Sequence, residues 1–443
     1  MATSTALPPP PAATADAQAT GVLAEDASFS RSRALAWSPR STPGWFRVMT
    51  TAVVILTIVY ATITAAAGLI LRTSSDELET NTAPSLLAVQ NVRASMAEAD
   101  ASATAVYLAG SGTTGARVQQ NLYLDALQRT SSQVEDVARY VGDDDEAHDA
   151  LKTISSGLVT YNGHIEASRA GPAGDDDELL NALDLSRSEI APAAGVVTER
   201  AQSQLEAEQG RASNLVRLSW LFGIPAFGMA LWLQYGTFRR TNRLVNPGLL
   251  LANLALAGLL VYAFAATSTR SSALTNATEG GYQAVDRTAS VQSLVYELQS
   301  GVGLDVLGSA LWRNQGETMA DIETRLGVIV EAADSPREEA AANEAMARWT
   351  RYRASTESIL QLSSQPADRD AAVTQFESSG LSTFNGMNTS LESVLSDNRI
   401  QFDDGVSQAA SAVRWLPIVA FVLAVVAVIG AALGIQARLE EYR

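Results

Sequence analysis

The sequence predicts an all-α membrane protein with four transmembrane helices and two extracytoplasmic four-helix bundles arranged as a tandem repeat. Three observations predict it. Four apolar runs, Trp45–Leu71, Leu218–Phe238, Gly248–Thr267 and Trp415–Ile435, each reach the roughly 20 residues that a helix needs to cross a bilayer. Two acidic blocks separate them, with apolar residues at helical spacing and no Val/Ile/Thr alternation that would favour a sheet. The order run, block, run then occurs twice, on either side of the basic stretch Phe238–Pro247.

Taken in order, residues 1–44 are rich in Ala, Pro, Ser and Thr, carry the Pro8–Pro11 run and lack apolar periodicity, so they predict a disordered cytoplasmic tail. The first span, 45–71, is too long and starts too far into the chain for a secretory signal peptide, and it fits an uncleaved anchor. Aromatic residues near span ends (Trp45, Trp220, Tyr235, Trp415) suit the membrane–water interface. Block 72–217 shows Leu86, Val89, Val92, Met96 at helical spacing. Breaks follow at Gly110–Gly115, Gly142–Asp145 and Gly171–Asp177, which predicts four helices with short turns. The second span is 218–238, the loop 239–247 and the third span 248–267. Block 268–414 repeats the plan with breaks at Arg313–Gly316, Asp334–Pro336 and Ser363–Ala367, and its last helix carries Leu381, Phe384, Leu391, Leu395 and Phe402. The fourth span, 415–435, leads into a tail, 436–443.

Orientation follows from arginine. Arg31, Arg33, Arg40 and Arg47 lie in or beside the tail, Arg239, Arg240 and Arg243 in the middle loop, and Arg438 and Arg443 at the end. The positive-inside rule places these three segments in the cytoplasm, so both termini face inward across the plasma membrane. Arg72, Arg217, Arg270 and Arg414 flank the opposite span ends, where they can snorkel to outer headgroups. Residues 73–214 hold 9 basic and 23 acidic residues and residues 269–413 hold 10 and 20, so the outer blocks are more acidic than the chain, whose net charge is −17.

A tandem duplication accounts for the spacing. Arg217 and Arg414 precede spans two and four, Glu79-Thr-Asn-Thr82 faces Leu274-Thr-Asn-Ala277, and Pro225 and Pro417 fall in spans two and four. The copies would be parallel repeats, entering and leaving from one side. Two bundles of one chain then make an internal pseudo-dimer, as a monomer or a small homo-oligomer.

Several chemistries find no foothold. Without cysteine there is no disulfide or thiol site, and two histidines, His148 and His164, sixteen residues apart on one predicted helix, read as surface residues. The acidic chain argues against a nucleic-acid partner. The runs Asp143–Glu146 and Asp175–Glu178 lack calcium-loop spacing and suit helix starts. No nucleophile elbow or phosphate loop occurs, so no catalytic residue, metal or cofactor is expected and the chain reads as non-enzymatic. The spans carry no charged pathway residue of the kind a pump needs. Candidate contacts are Arg93 and Arg287, at comparable places in the first helix of each block, where a guanidinium takes a carboxylate or makes an ordinary salt bridge. Arg239, Arg240 and Arg243 are candidates for a cytoplasmic partner, although topology alone explains them.

Span, bundle, span is the plan of bacterial sensor input domains. The doubled plan from Trp45 to Arg443, the Pro/Ala-rich tail and the ending Arg438-Leu-Glu-Glu-Tyr-Arg443 resemble the actinobacterial GlnX family of four-span sensors. The resemblance implies a relay. Outside, an amino-acid-binding lipoprotein loaded with aspartate or glutamate docks on the bundles. Inside, a pathway built on a soluble serine/threonine kinase responds. With no output domain following Arg443, a separate cytoplasmic partner is expected. A competing reading is a non-signalling accessory or scaffold subunit of an amino-acid transporter or cell-envelope complex.

Overall fold

The computed structural model describes residues 42–110, 113–141, 144–171, 176–241, 246–308, 314–333 and 335–440. The expectations for tail residues 1–41, for Gly142 and Asp143, for 172–175, for Arg243, for Arg313 and Asp334, and for 441–443 lie outside them, as do the side chains of Arg240 and Arg438.

Every regular element among the described residues is helical. In chain order these are α1 (Thr42–Glu77), α2 (Ala83–Ala109), α3 (Thr114–Tyr140), α4 (Asp145–Ala170), α5 (Asp177–Leu185), α6 (Ala191–Thr241), α7 (Pro247–Thr275), α8 (Gln283–Leu307), α9 (Gln315–Glu331), α10 (Pro336–Ser363), α11 (Arg369–Gln375), α12 (Leu381–Val413) and α13 (Leu416–Glu440). Side-chain caps start four of them: Thr113 accepts from Ala116 N at 3.0 Å, Asp144 from Ala147 N at 3.0 Å, Asn246 from Gly248 N at 3.2 Å and Ser335 from Glu338 N at 3.2 Å. Gly110 and Gly308 end α2 and α8 with φ of 71° and 85°, which a side chain would oppose. Four π-helical turns interrupt the pattern, at Leu78–Thr82, Ser186–Ile190, Asn276–Tyr282 and Phe376–Gly380. The sequence reading runs one helix through each of these places.

Four helical stretches, Gly44–Ala109, Val216–Arg239, Pro247–Leu307 and Pro366–Gln436, contain a segment long and apolar enough to cross a membrane. They fit a multi-pass membrane protein. The chain divides into two units. The first, drawn from the described residues within 42–67, 215–264 and 416–440, is organised around Phe46, Val53, Tyr60, Leu233, Leu256 and Ala427. It exposes Ile224, Val261, Phe264 and Phe421, a surface suited to lipid. Its polar groups pair internally: Thr64 and Ser219 hydroxyls at 2.9 Å, Asn246 Nδ2 donating to Gly434 O at 2.7 Å, and Asn253 donating to Gln234. Gly248 meets Gly430 and Gly434 so closely that a Cβ on Gly248 would stand 2.6 Å from the Gly430 carbonyl oxygen. Gly430-Ala-Ala-Leu-Gly434 is thus a small-residue seam that admits a neighbouring backbone. Pro225 lies inside α6, whereas Pro417 is the second residue of α13 after a break at Arg414–Trp415, where its missing N–H removes no helical bond. Both prolines thus fall in spans two and four, but only Pro225 lies in a helix interior.

The second unit, residues 68–214 and 265–415, holds two main cores. Val92 and Met96 of α2, Tyr123 and Val137 of α3, Ile154 and Tyr161 of α4, and Leu179 of α5 with Val197 of α6 close one. Val295 and Leu298 of α8, Ile322 of α9, Trp349 and Tyr352 of α10, and Met387 and Leu391 of α12 close the other. Each such large apolar side chain contributes about 1.5–3 kcal/mol by leaving water.

The two cores share a seam. Helices α2 and α8 run parallel in one register: Gln90 Nε2 donates to Asp286 Oδ1 at 2.6 Å, and the Thr104 and Ser300 hydroxyls hydrogen-bond at 3.1 Å, both pairs separated by 196 residues. Residues 99–105 of α2 and 298–304 of α8 are buried on every side. The small side chains Ala101, Ala103, Ala105, Gly301 and Gly303 permit this approach, and a Cβ on Gly303 would meet Thr104 Cγ2 at 2.6 Å.

Candidate functional site

Beside the α2–α8 seam lies a cavity of about 180 Å³. One face of α2 supplies Val92, Arg93, Met96, Ala97 and Asp100, residues a helical turn apart, and α8 supplies Ser293 and Glu297. The π turn Ser186–Ile190 adds Ser186, Arg187 and Ile190. The extra residue of such a turn re-aims the side chains that follow, and these turns recur at functional sites. Gly157 of α4 makes room for it, since a Cβ there would lie 2.8 Å from Ile190 Cγ1.

Asp100 sits at the inner end, 7% exposed within a run of Ala, Ser and Thr. Ser186 Oγ donates to its Oδ2 at 2.8 Å. The Tyr161 hydroxyl lies beside the same carboxylate and draws it down, but no described donor completes a hydrogen bond to Oδ1. Burial dominates and pushes the Asp100 carboxyl up to about 7, against Tyr161, Arg187 and Ser186 and with help from Glu297. Burial also raises Glu297, opposed by Arg187. Burial lowers Arg187, against the attraction of Asp100, Glu297 and Asp184.

A second cavity, about 190 Å³, occupies the other edge of the α2–α8 pair. Asn91, Ser95 and Glu98 of α2, Arg129 of α3, Tyr296 of α8 and Arg399 of α12 are among its lining. Here Arg129 Nη2 donates to Glu98 Oε2 at 2.7 Å in an ion pair, while Arg399 donates to the neutral Asn91 Oδ1 and its buried Nε has no hydrogen-bond partner among the described residues.

Of the residues singled out from sequence, Arg93 lines the first cavity. Arg287 lies in neither and donates to Gln283 Oε1 at 2.9 Å on an exposed surface. In the 196-residue register Arg93 stands level with Ala289, so the two arginines do not occupy matching places. Arg239 falls near the end of α6. His148 and His164 share α4 and are partly buried; His164 Nδ1 lies 2.6 Å from Glu178 Oε2, and His148 Nδ1 lies 3.0 Å from Asp144 O. Asp100, Arg187 and Glu297 went unmarked in the sequence, although an Asp inside Ala99-Asp-Ala-Ser-Ala-Thr-Ala105 is an available signal, because a charge in an otherwise small, apolar helical run is costly to bury.

Residues 74–210 match a family model. Its description is actinobacterial sensor domain. The match begins in α1, ends in α6 and contains the Asp100 end of the cavity together with its π turn. No curated protein and no solved structure matches the chain. A stretch similar to a sensor domain, carried on a chain with four candidate membrane spans, is consistent with a general signalling role at a membrane.

Proposed function

We propose that this chain is a non-enzymatic transmembrane signal transducer of the GlnX type in the plasma membrane. Its termini and the 239–247 loop face the cytoplasm. Blocks 72–217 and 268–414 form two extracytoplasmic four-helix bundles, a tandem repeat folded as an internal pseudo-dimer. A binding lipoprotein loaded with aspartate or glutamate docks on the bundles, and a cytoplasmic serine/threonine kinase pathway responds. Arg239, Arg240 and Arg243 offer that pathway a basic contact.

The observation that carries the reading is the sensor-domain match over residues 74–210, between the first two candidate spans. The duplication draws support from the 196-residue register of α2 on α8, from π turns at both Leu78–Thr82 and Asn276–Tyr282, and from positive-φ glycines ending both α2 and α8. A helix pair in contact can pass a small shift or rotation along its axis, which is how a local binding event becomes a signal.

Affinity purification of the full chain from membranes of cells grown with and without added aspartate or glutamate tests the relay. The expected outcome is a lipoprotein and a kinase-pathway protein whose recovery changes with the amino acid. Recovery of envelope proteins alone, identical in both states, would instead assign the chain to a scaffold or transporter-accessory role.

A further inference from the structure

The geometry points to the Asp100 cavity as a direct binding site for a small molecule that carries a primary ammonium group and a short apolar body. The inference rests on the sensory reading of the second unit and adds a ligand class to it that differs from the dicarboxylic amino acids of the proposed relay.

Three features select this class. The first is an unmet acceptor. Asp100 is more than nine-tenths buried, its Oδ2 takes the Ser186 hydroxyl, and its Oδ1 has no donor in hydrogen-bond geometry among the described residues; the Tyr161 hydroxyl beside it is buried and has no partner in that geometry either. A buried carboxylate oxygen in that state is costly, and a charged N–H donor relieves it best. The second is the sign of the charge. The lining carries two carboxyls, Asp100 and Glu297, and two guanidiniums, but both carboxyls act on Arg187 while Arg93 is not among the groups that shift either, so beside Asp100 the two acids face one base. A cation balances this end, and a second carboxylate on the ligand would not. The third is size and lining. About 180 Å³ holds roughly six waters or a molecule of similar bulk, and Val92, Met96, Ile190 and Ala194 line it with methyl and methylene groups. A bare divalent ion needs about six oxygen ligands in place of those walls, which disfavours a metal.

Such a ligand would touch α2, α8 and the π turn together. Its binding energy therefore biases whatever arrangement of these elements best encloses it. Because the ammonium requires Asp100 in its charged form, a proton competes for the same oxygen; the other ionisable groups at the cavity are Glu297, Arg187, Arg93 and Tyr161, with Asp184 acting on Arg187.

The test is calorimetric titration of the full chain in lipid nanodiscs with n-propylammonium and, separately, with propionate and with L-glutamate. The expected result is saturable binding of n-propylammonium only, weakened at least about tenfold by Asp100→Asn and severalfold by Glu297→Gln. Binding should also weaken as pH is lowered from 8 to 6. Should Asp100→Asn fail to fold, Glu297→Gln and the pH series still decide. No saturable binding of n-propylammonium, or binding unchanged by these variants and by pH, overturns the site. Because the titration holds no lipoprotein or kinase, its failure leaves the relay standing, and failure of the relay leaves this site standing.

Discussion

The two edges of the α2–α8 pair enclose nearly equal volumes, about 180 and 190 Å³, yet their charges are arranged differently. On the α3 and α12 side, Glu98 and Arg129 form an ion pair closed within the protein, while Arg399 donates to the neutral Asn91 and its buried Nε has no hydrogen-bond partner among the described residues. On the π-turn side, Asp100 has only the Ser186 hydroxyl in hydrogen-bond geometry, with the Tyr161 hydroxyl beside it, and Asp100 and Glu297 both act on the guanidinium of Arg187. A pair closed on itself resists change because breaking it costs energy whatever is added from outside. A carboxylate left short of donors gains from an incoming proton or cation, so its surroundings respond. The first edge therefore reads as scaffold and the second as the responsive one.

Removing the seam that both edges share should have the largest effect. Gly303→Leu drives a side chain into Thr104 and Leu108 and should destabilise the second unit by about 3 kcal/mol, seen as a lowered thermal midpoint of the full chain in nanodiscs. Retention of the wild-type midpoint would mean that α2 and α8 are not in this contact. Next comes the responsive edge. Asp100 in the folded chain titrates at about 7, above its ordinary value of 3.8, so ionising it inside the protein costs stability. That stability is full below about pH 4 and is lost as pH rises through 7. Asp100→Asn should therefore stabilise the chain at pH 8 by roughly 2 kcal/mol and flatten this pH dependence, with guanidinium or heat melts at several pH values as the readout. The Glu98–Arg129 pair should respond in the opposite sense. Arg129→Met leaves Glu98 largely buried without its partner and should destabilise by about 1 kcal/mol, a value held down because Arg129 is 43% exposed. Stabilisation by Arg129→Met and destabilisation by Asp100→Asn would invert the comparison.

Much of this plan could be read from the chain itself. Four long apolar runs with charge-free interiors have few alternatives to spanning helices, and Thr113, Asp144 and Ser335 cap helices where the Gly, Asp and Pro signals end the preceding ones. The seam was harder to see. A helix buried on all sides has no one-sided pattern, so Ala99–Ala105 reads as bland sequence although it lies buried within the second unit. The π turns left no trace in the spacing because one added residue shifts an apolar stripe only slightly. Yet the turn at Ser186–Ile190 brings Arg187 to Asp100, and without it Arg93 alone was visible. Arg287 stands out of register with Arg93 for a related reason. It lies 194 residues from Arg93 in a pair registered at 196, and two residues turn an α-helix by about 200°.

Helices α2 and α8 meet within one chain and in one register. The natural absence of cysteine makes this directly measurable. In the double variant Thr104→Cys, Ser300→Cys, whose native hydroxyls stand 3.1 Å apart, mild oxidation of membranes should give a disulfide that changes gel mobility at monomer mass and vanishes on reduction. A crosslink found only at dimer mass, or none while the Thr104→Cys, Leu304→Cys pairing one turn away forms readily, would contradict it.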